Sequence, residues 1–162
     1  MEETSGRTGE YLCFFLGQEQ YAVNVSRVEV VLEMQNVTRV PKAPSHMRGV
    51  INHRGSVVPV VDLRMRFGMG PSKLAEGTSI IILQIEYGGE LLTAGVLADG
   101  VREVVNLDPA DTEKPPRLGS RLDEAVIEGI AKRGDEFVIL LNIDEAFREG
   151  LPGTAVPAGT DR

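Results

Sequence analysis

Met47-Arg-Gly-Val-Ile-Asn-His-Arg-Gly-Ser-Val-Val-Pro-Val-Val-Asp-Leu-Arg-Met-Arg-Phe67 is the stretch whose reading decides the fold. Two apolar segments, 47–52 and 56–62, flank Arg54-Gly55. Glycine at such a turn supplies the positive φ that a tight hairpin demands. The segments are rich in valine, whose β-branched side chain suits a pleated, half-buried surface. Arg48, Arg54, Arg64 and Arg66 lie along this stretch in a chain of formal net charge −7. Arg54, just before the turn glycine, is expected at a rim. Two readings stand there: a solvated turn arginine, or a cation offered to an acidic partner beside an apolar groove.

The same pattern extends outward in both directions. Segments 11–16 and 20–25 flank Gly17, 79–86 and 90–97 flank Tyr87-Gly88-Gly89, and 126–132 and 136–143 flank Gly134-Asp135. Short apolar segments punctuated by turn residues predict a sandwich or barrel. Residues 26–31 fit a helix or a strand. Residues 144–149 begin with acids, which suits the positive end of a short helix. Consecutive prolines make 112–119 a loop. Residues 1–9 are small and polar and 150–162 are rich in Gly, Pro and Ala, so both are expected to be flexible tails around a structured 10–149.

An internal repeat divides that structured part. Val25-Ser-Arg-Val-Glu-Val-Val31 reappears as Asp99-Gly-Val-Arg-Glu-Val-Val105, which lays Glu29 over Glu103. Gly49 to Asp62 and Gly129 to Asn142 both span thirteen residues, with Gly55 and Gly134 expected at equivalent turns. The copies run over about 11–67 and 79–147. Each is large enough for a small closed barrel, and closing a sheet removes its exposed edges. A groove between two such barrels is the expected binding site.

Composition and motifs exclude most chemistry. An acidic balance of 24 acids against 17 bases argues against nucleic acid or anionic lipid as a partner. Cys13 is the single cysteine and lies among apolar neighbours, which predicts an inert buried thiol and no disulfide. The N-terminus has no signal-peptide core, and no apolar run approaches the roughly 20 residues of a membrane helix, so a cytoplasmic protein without direct membrane contact is expected. His46 and His53 are the only histidines, and neither has a carboxylate or thiolate at metal-ligand spacing. A hydrolase would have to assemble Ser56, His53 and Asp62, although adjacent strand residues point to opposite faces. Gly95-Val-Leu-Ala-Asp-Gly100 has a Walker-like glycine interval, but Val101-Arg102 replaces the Lys-Ser/Thr that phosphate binding needs. No enzyme and no cofactor is expected.

The segment Gly49-Val50-Ile51-Asn52-His53-Arg54-Gly55, followed by Val57-Val58-Pro59-Val60-Val61-Asp62-Leu63-Arg64 and Phe67, resembles the signature of the CheW family. The likeness extends through Glu10-Tyr-Leu-Cys-Phe-Phe-Leu-Gly-Gln-Glu-Gln-Tyr21, Val37-Thr38-Arg39-Val40, Gly95-Val96-Leu97-Ala98-Asp99-Gly100-Val101 and Ile139-Leu140-Leu141-Asn142-Ile143. It covers nearly all of 10–149. His53 departs from it, standing where the family usually has Leu.

The resemblance implies a mainly β fold of two intertwined SH3-like five-stranded barrels with a few short helices. It implies an adaptor that binds the regulatory domain of a CheA-type histidine kinase and the cytoplasmic hairpin tip of chemoreceptors. Such a protein would be cytoplasmic and recruited to membrane-associated receptor arrays, with a non-flagellar chemosensory pathway as the alternative setting. Carried onto this chain, the receptor side is Arg54 with Val28, Ile80 and Val104, while Gly49 and Gly95 let backbones approach closely. The kinase side is Val28 and Val30 with Asn36, Val37, Thr38 and Arg39.

Overall fold

The computed structural model describes residues 9–108, 110, 112–114 and 125–147. The expected tails apart from Gly9, the Pro115-Pro116 pair, and residues 148–149 of the last expected helix lie outside them. Among the described residues eleven strands occur in chain order: β1 Glu10–Leu16, β2 Glu19–Asn24, β3 Val28–Glu33, β4 Met47–His53, β5 Ser56–Val61, β6 Ser79–Tyr87, β7 Glu90–Ala98, β8 Gly100–Asn106, β9 Thr112–Glu113, β10 Ile127–Arg133 and β11 Glu136–Leu141. Helices α1, Leu63–Arg66, and α2, Ile143–Ala146, follow β5 and β11. The ambiguous 26–31 segment splits into a 3₁₀ turn at Val25–Arg27 and strand β3. Thr112 and Glu113, expected in a loop, pair with Ala131 and Ile130 instead. The two prolines that excluded a strand come only after them.

The strands form two sheets, ordered β8-β1-β2-β11-β10-β9 and β3-β6-β7-β5-β4. The first contains six strands rather than five, the extra one being the two-residue β9. Neither sheet is a sequence half. The opening hairpin β1-β2 joins the later strands, with β2 parallel to β11, while β6-β7 joins the earlier ones, with β7 parallel to β5. The sheets are therefore interlocked through exchanged hairpins.

Three cores explain which strands read as continuous apolar runs. Cys13, Ala22, Ala131, Val138 and Leu140 fill the inside of the first sheet. Ile51, Val58, Val60, Ile80, Ile82 and Leu97 fill the second. Leu12, Phe14, Leu16, Ile81, Leu83, Val96, Leu141 and Phe147 pack between the sheets. Strands β1 and β6 face two cores at once, so their side chains are apolar on both sides, as in Ile80-Ile81-Ile82-Leu83. β3 faces solvent on one side and alternates strictly. Much of the expected groove between barrels is thus packed core. A cavity of about 160 Å³ remains beside it, lined by Tyr21, Phe67, Met69, Val126, Ile127, Ile139 and Leu141.

The two sheets repeat each other closely. Gly49 pairs with Val60 and Gly129 with Leu140, each after an irregularity at the strand start. Asp62 and Asn142 cap α1 and α2 and donate their backbone N–H to the carbonyls of His46 and Val126. In both sheets the chain leaving one edge strand returns to pair with the opposite edge. Thr38 bridges Val50 after β3, and β9 pairs with β10 after β8. This requires Gly49: at φ +152, a Cβ there would lie 2.2 Å from the Thr38 carbonyl oxygen. Gly49 with Gly129 and Asp62 with Asn142 match as aligned, while the hairpin turn and the β3 block differ from the sequence alignment by one. His53 and Ser56 flank the first turn as Arg133 and Glu136 flank the second, so Gly134 corresponds to Arg54 and not to Gly55. Likewise Val28 opposite Leu83 matches Val101 opposite Phe14, which places Glu29 level with Arg102 in the bulges of β3 and β8.

Candidate protein-interaction surfaces

Arg54 stands at the tip of the β4-β5 hairpin with φ 54, followed by Gly55 at φ 84. Two successive left-handed residues fit the twist of the flanking strands, and Asn52 Oδ1 braces the turn by accepting from Gly55 N at 2.8 Å. A left-handed conformation costs a residue with a Cβ about 1–2 kcal/mol. The matching position in the other sheet is Gly134, which adopts φ 63 without that cost. The Arg54 side chain is 75% exposed, and its nearest acid is Glu29, at 3.9 Å.

Two of the other arginines of the segment, Arg48 and Arg64, serve the fold. Asp62 is buried; its oxygens accept from Arg64 N, Ser72 N and Ser72 Oγ, and Arg48 Nη2 reaches it at 3.1 Å. Arg64 spans to Asp99 at 3.3 Å and to the carbonyls of Met69 and Gly70. Arg66 has its Nε and Nη2 shielded from solvent. Asp62 is thus a structural hub and cannot complete a Ser56–His53 dyad. The length of β5 separates it from Ser56, about 20 Å at the usual strand rise. His53 Nε2 meets Glu29 Oε2 at 3.3 Å.

The remaining site candidates divide by burial. Ile80 is fully buried, and Gly95 packs against it: a Cβ on Gly95 would lie 2.9 Å from Ile80 Cγ2. Gly49 is equally internal. These three shape the barrel beneath the surface, where the two glycines let neighbouring groups approach closely. Val28 is half-buried against the inter-sheet core. Val104 is 52% exposed but belongs to β8 of the other sheet, beside the Glu103–Arg133 pair. Val30 and Val37 are half-buried against the second sheet's own core, while Asn36, Thr38 and Arg39 are exposed. Asn36 and Thr38 share a depression with Asn52, Gly55 and Val57. The structure therefore brings the Asn36–Thr38 segment beside the Arg54 hairpin, whereas the sequence reading had set them on separate surfaces.

A CheW-like domain model matches residues 10–150. The chain belongs to the CheW-like family. Among relatives of this CheW-like protein, chemotaxis protein CheW of Klebsiella aerogenes is 31% identical over 143 residues, covering 88% of this chain and 82% of that protein. Chemotaxis protein CheW of Bacillus subtilis is 28% identical over 93% of this chain and 95% of its own length. Protein FrzA of Myxococcus xanthus is 31% identical over 86% of this chain and 85% of that protein. The crystal structure of the scaffolding protein TtCheW from Thermoanaerobacter tengcongensis matches with a TM-score of 0.77 at 33% identity, over 88% of this chain and 89% of that one.

Within this CheW-like fold, two polar arrangements escaped sequence reading. Glu29 lies where β3, β6 and the hairpin meet: its carboxylate contacts His53 and accepts from Gln84 Nε2 at 2.9 Å. His53 occupies the place that Arg133 takes in the other sheet, where Arg133 meets Glu103 at 3.1 Å. A base opposite an acid recurs at both hairpins, and the departure at His53 keeps that pairing. The second is the Arg27–Asp144 pair, with Nη1–Oδ1 2.8 Å and Nη2–Oδ2 2.6 Å, which ties the turn before β3 to α2. No local pattern announces either, since both partners come from distant parts of the chain.

Proposed function

We propose that this CheW-like protein is a non-enzymatic scaffold that couples chemoreceptors to a CheA-type histidine kinase. The observation that carries this reading is the match of the CheW-like family over 10–150, together with the likeness, over 88% of this chain, to a protein described as a scaffold. The receptor-facing surface is centred on Arg54, flanked by Val28 and supported from beneath by Ile80, Gly49 and Gly95, with Val104 on the second sheet as an outlying contact. The kinase-facing surface lies on the second sheet, around Val28, Val30, Asn36, Val37, Thr38 and Arg39. Arg54 supports its own role physically. A cation held in a left-handed conformation at an exposed tip, where the other sheet has glycine, is better explained by a contact than by the turn. The alternative setting is a non-flagellar chemosensory pathway.

Binding isotherms with a receptor cytoplasmic hairpin fragment and, separately, with the kinase regulatory domain test this reading. Both partners are expected to bind. Failure to bind either one would remove the coupling role.

A further inference from the structure

The segment that connects β3 to β4 carries an unusual charge pattern. Residues 34–46 contain Arg39 and Lys42 and no Asp or Glu, and the acid-free run continues through β4 and β5 to residue 61 with Arg48 and Arg54, in a chain whose net charge is −7. Arg48 is committed to Asp62 and to the Ser72 carbonyl, each at 3.1 Å. Arg39 and Lys42, with nearby Lys73, are exposed, and none of the described residues forms an ion pair with them. Two depressions meet at Arg39 and Arg48. One, of about 500 Å³, is lined by Met34, Asn36, Val37 and Leu74 among others; the second, of about 400 Å³, is lined by residues 39–45 and Met47. Val40 and Leu74 leave 38% and 46% of their surface exposed there. The surface is therefore cationic with apolar footholds.

Lys42 adds an independent signal. Val40-Pro41-Lys42-Ala43 is a tight turn closed by Ala43 N donating to Val40 O at 3.3 Å, with Lys42 at φ 65. Proline second and a left-handed residue third is the pattern in which glycine is the unstrained choice. Among the described residues only Lys42 and Arg54 are non-glycines with positive φ, and both are exposed cations. Strain of this kind persists where a side chain is needed for something other than the fold.

We propose that the β3-β4 connection is a docking surface for an acidic segment of the kinase, with its charge met by Lys42 and Arg39 and its apolar anchor by Val40 and Leu74. Charge complementarity argues for this occupant: an otherwise acidic scaffold concentrates unpaired cations here, which would steer and orient an anionic partner. The proposal rests on the reading of the protein as a kinase-binding scaffold and extends the kinase side beyond Arg39.

Affinities of wild type, Lys42→Gly, Lys42→Glu and Arg39→Glu for the kinase regulatory domain and for the receptor fragment test it, with melting temperatures on the same preparations. Lys42→Gly should melt at or above wild type and bind kinase about tenfold more weakly. The two charge reversals should weaken kinase binding further, by more at low salt than at high salt, and leave receptor affinity within threefold. Wild-type protein that binds no kinase would overturn the function on which the inference rests. Wild-type binding with all three variants within threefold would overturn this surface alone. So would a Lys42→Gly variant that melts lower, because Lys42 would then serve the fold.

Discussion

At the scale of single residues, Arg54 separates stability from binding. Its charge is exposed and its backbone is strained, so Arg54→Gly should raise stability by about 1 kcal/mol, the cost of a left-handed residue with a Cβ. Arg54→Glu should leave the fold within about 0.5 kcal/mol, as exposed substitutions do. Both should weaken receptor binding. Loss of one partner of a desolvated charged contact costs roughly 2–5 kcal/mol, and the Glu variant adds repulsion. Melting temperature and receptor affinity of each variant check this; unchanged affinity would make Arg54 a turn residue only. Cys13 gives a pH test. Burial pushes its thiol above the ordinary value of 9.0. Between those two values the native state holds a proton that the unfolded state has released, so stability falls as pH rises through that window. The stability gap between wild type and Cys13→Ala should narrow from pH 8 to pH 10, and parallel curves would contradict it. Burial together with Glu128 pushes Tyr11 up as well, and that contribution has the same sign in both proteins.

At the scale of elements, the hairpins were legible because glycine and apolar alternation are local signals. The exchange of hairpins between sheets was not, since the parallel pairing of β2 with β11 and β5 with β7 depends on which faces meet after collapse. The repeat was visible, with Gly49 over Gly129 and Asp62 over Asn142, but its turn and its first block were misaligned by one. Identity of residue type pulled Gly55 onto Gly134, whereas the strand register matches Gly134 with Arg54. Candidate site residues divided for a similar reason: a family pattern marks Ile80, Gly49 and Gly95 without saying that they lie inside, and burial is a property of the assembled barrel. The Arg27–Asp144 pair belongs to this scale, because it clamps α2 of one sheet's chain to the other sheet. Asp144 Oδ1 also accepts from Glu86 N at 2.8 Å, and Arg27 Nη1 donates to the Gln84 carbonyl at 2.9 Å. A double-mutant cycle with Arg27→Ala and Asp144→Ala should give a coupling of about 1–2 kcal/mol, within the range for contacting residues. Additive losses would show that the pair is incidental.

At the scale of the whole molecule, the shared core between the sheets makes one cooperative unit of two barrels. Phe14 and Leu16 of one sheet are buried with Ile81 and Leu83 of the other, so neither sheet keeps a complete core alone. Thermal unfolding should therefore follow a single transition whose calorimetric and van't Hoff enthalpies agree. Two resolved transitions would mean independent barrels. A rigid body is what a coupling protein needs, since it can hold two partners at fixed geometry. Co-sedimentation of the kinase with assembled receptor fragments, with and without this protein, tests that most directly. The kinase is predicted to pellet with receptor when the protein is present and to stay in solution without it or with Arg54→Glu. Kinase that pellets equally in all three cases, or in none, would contradict the coupling role.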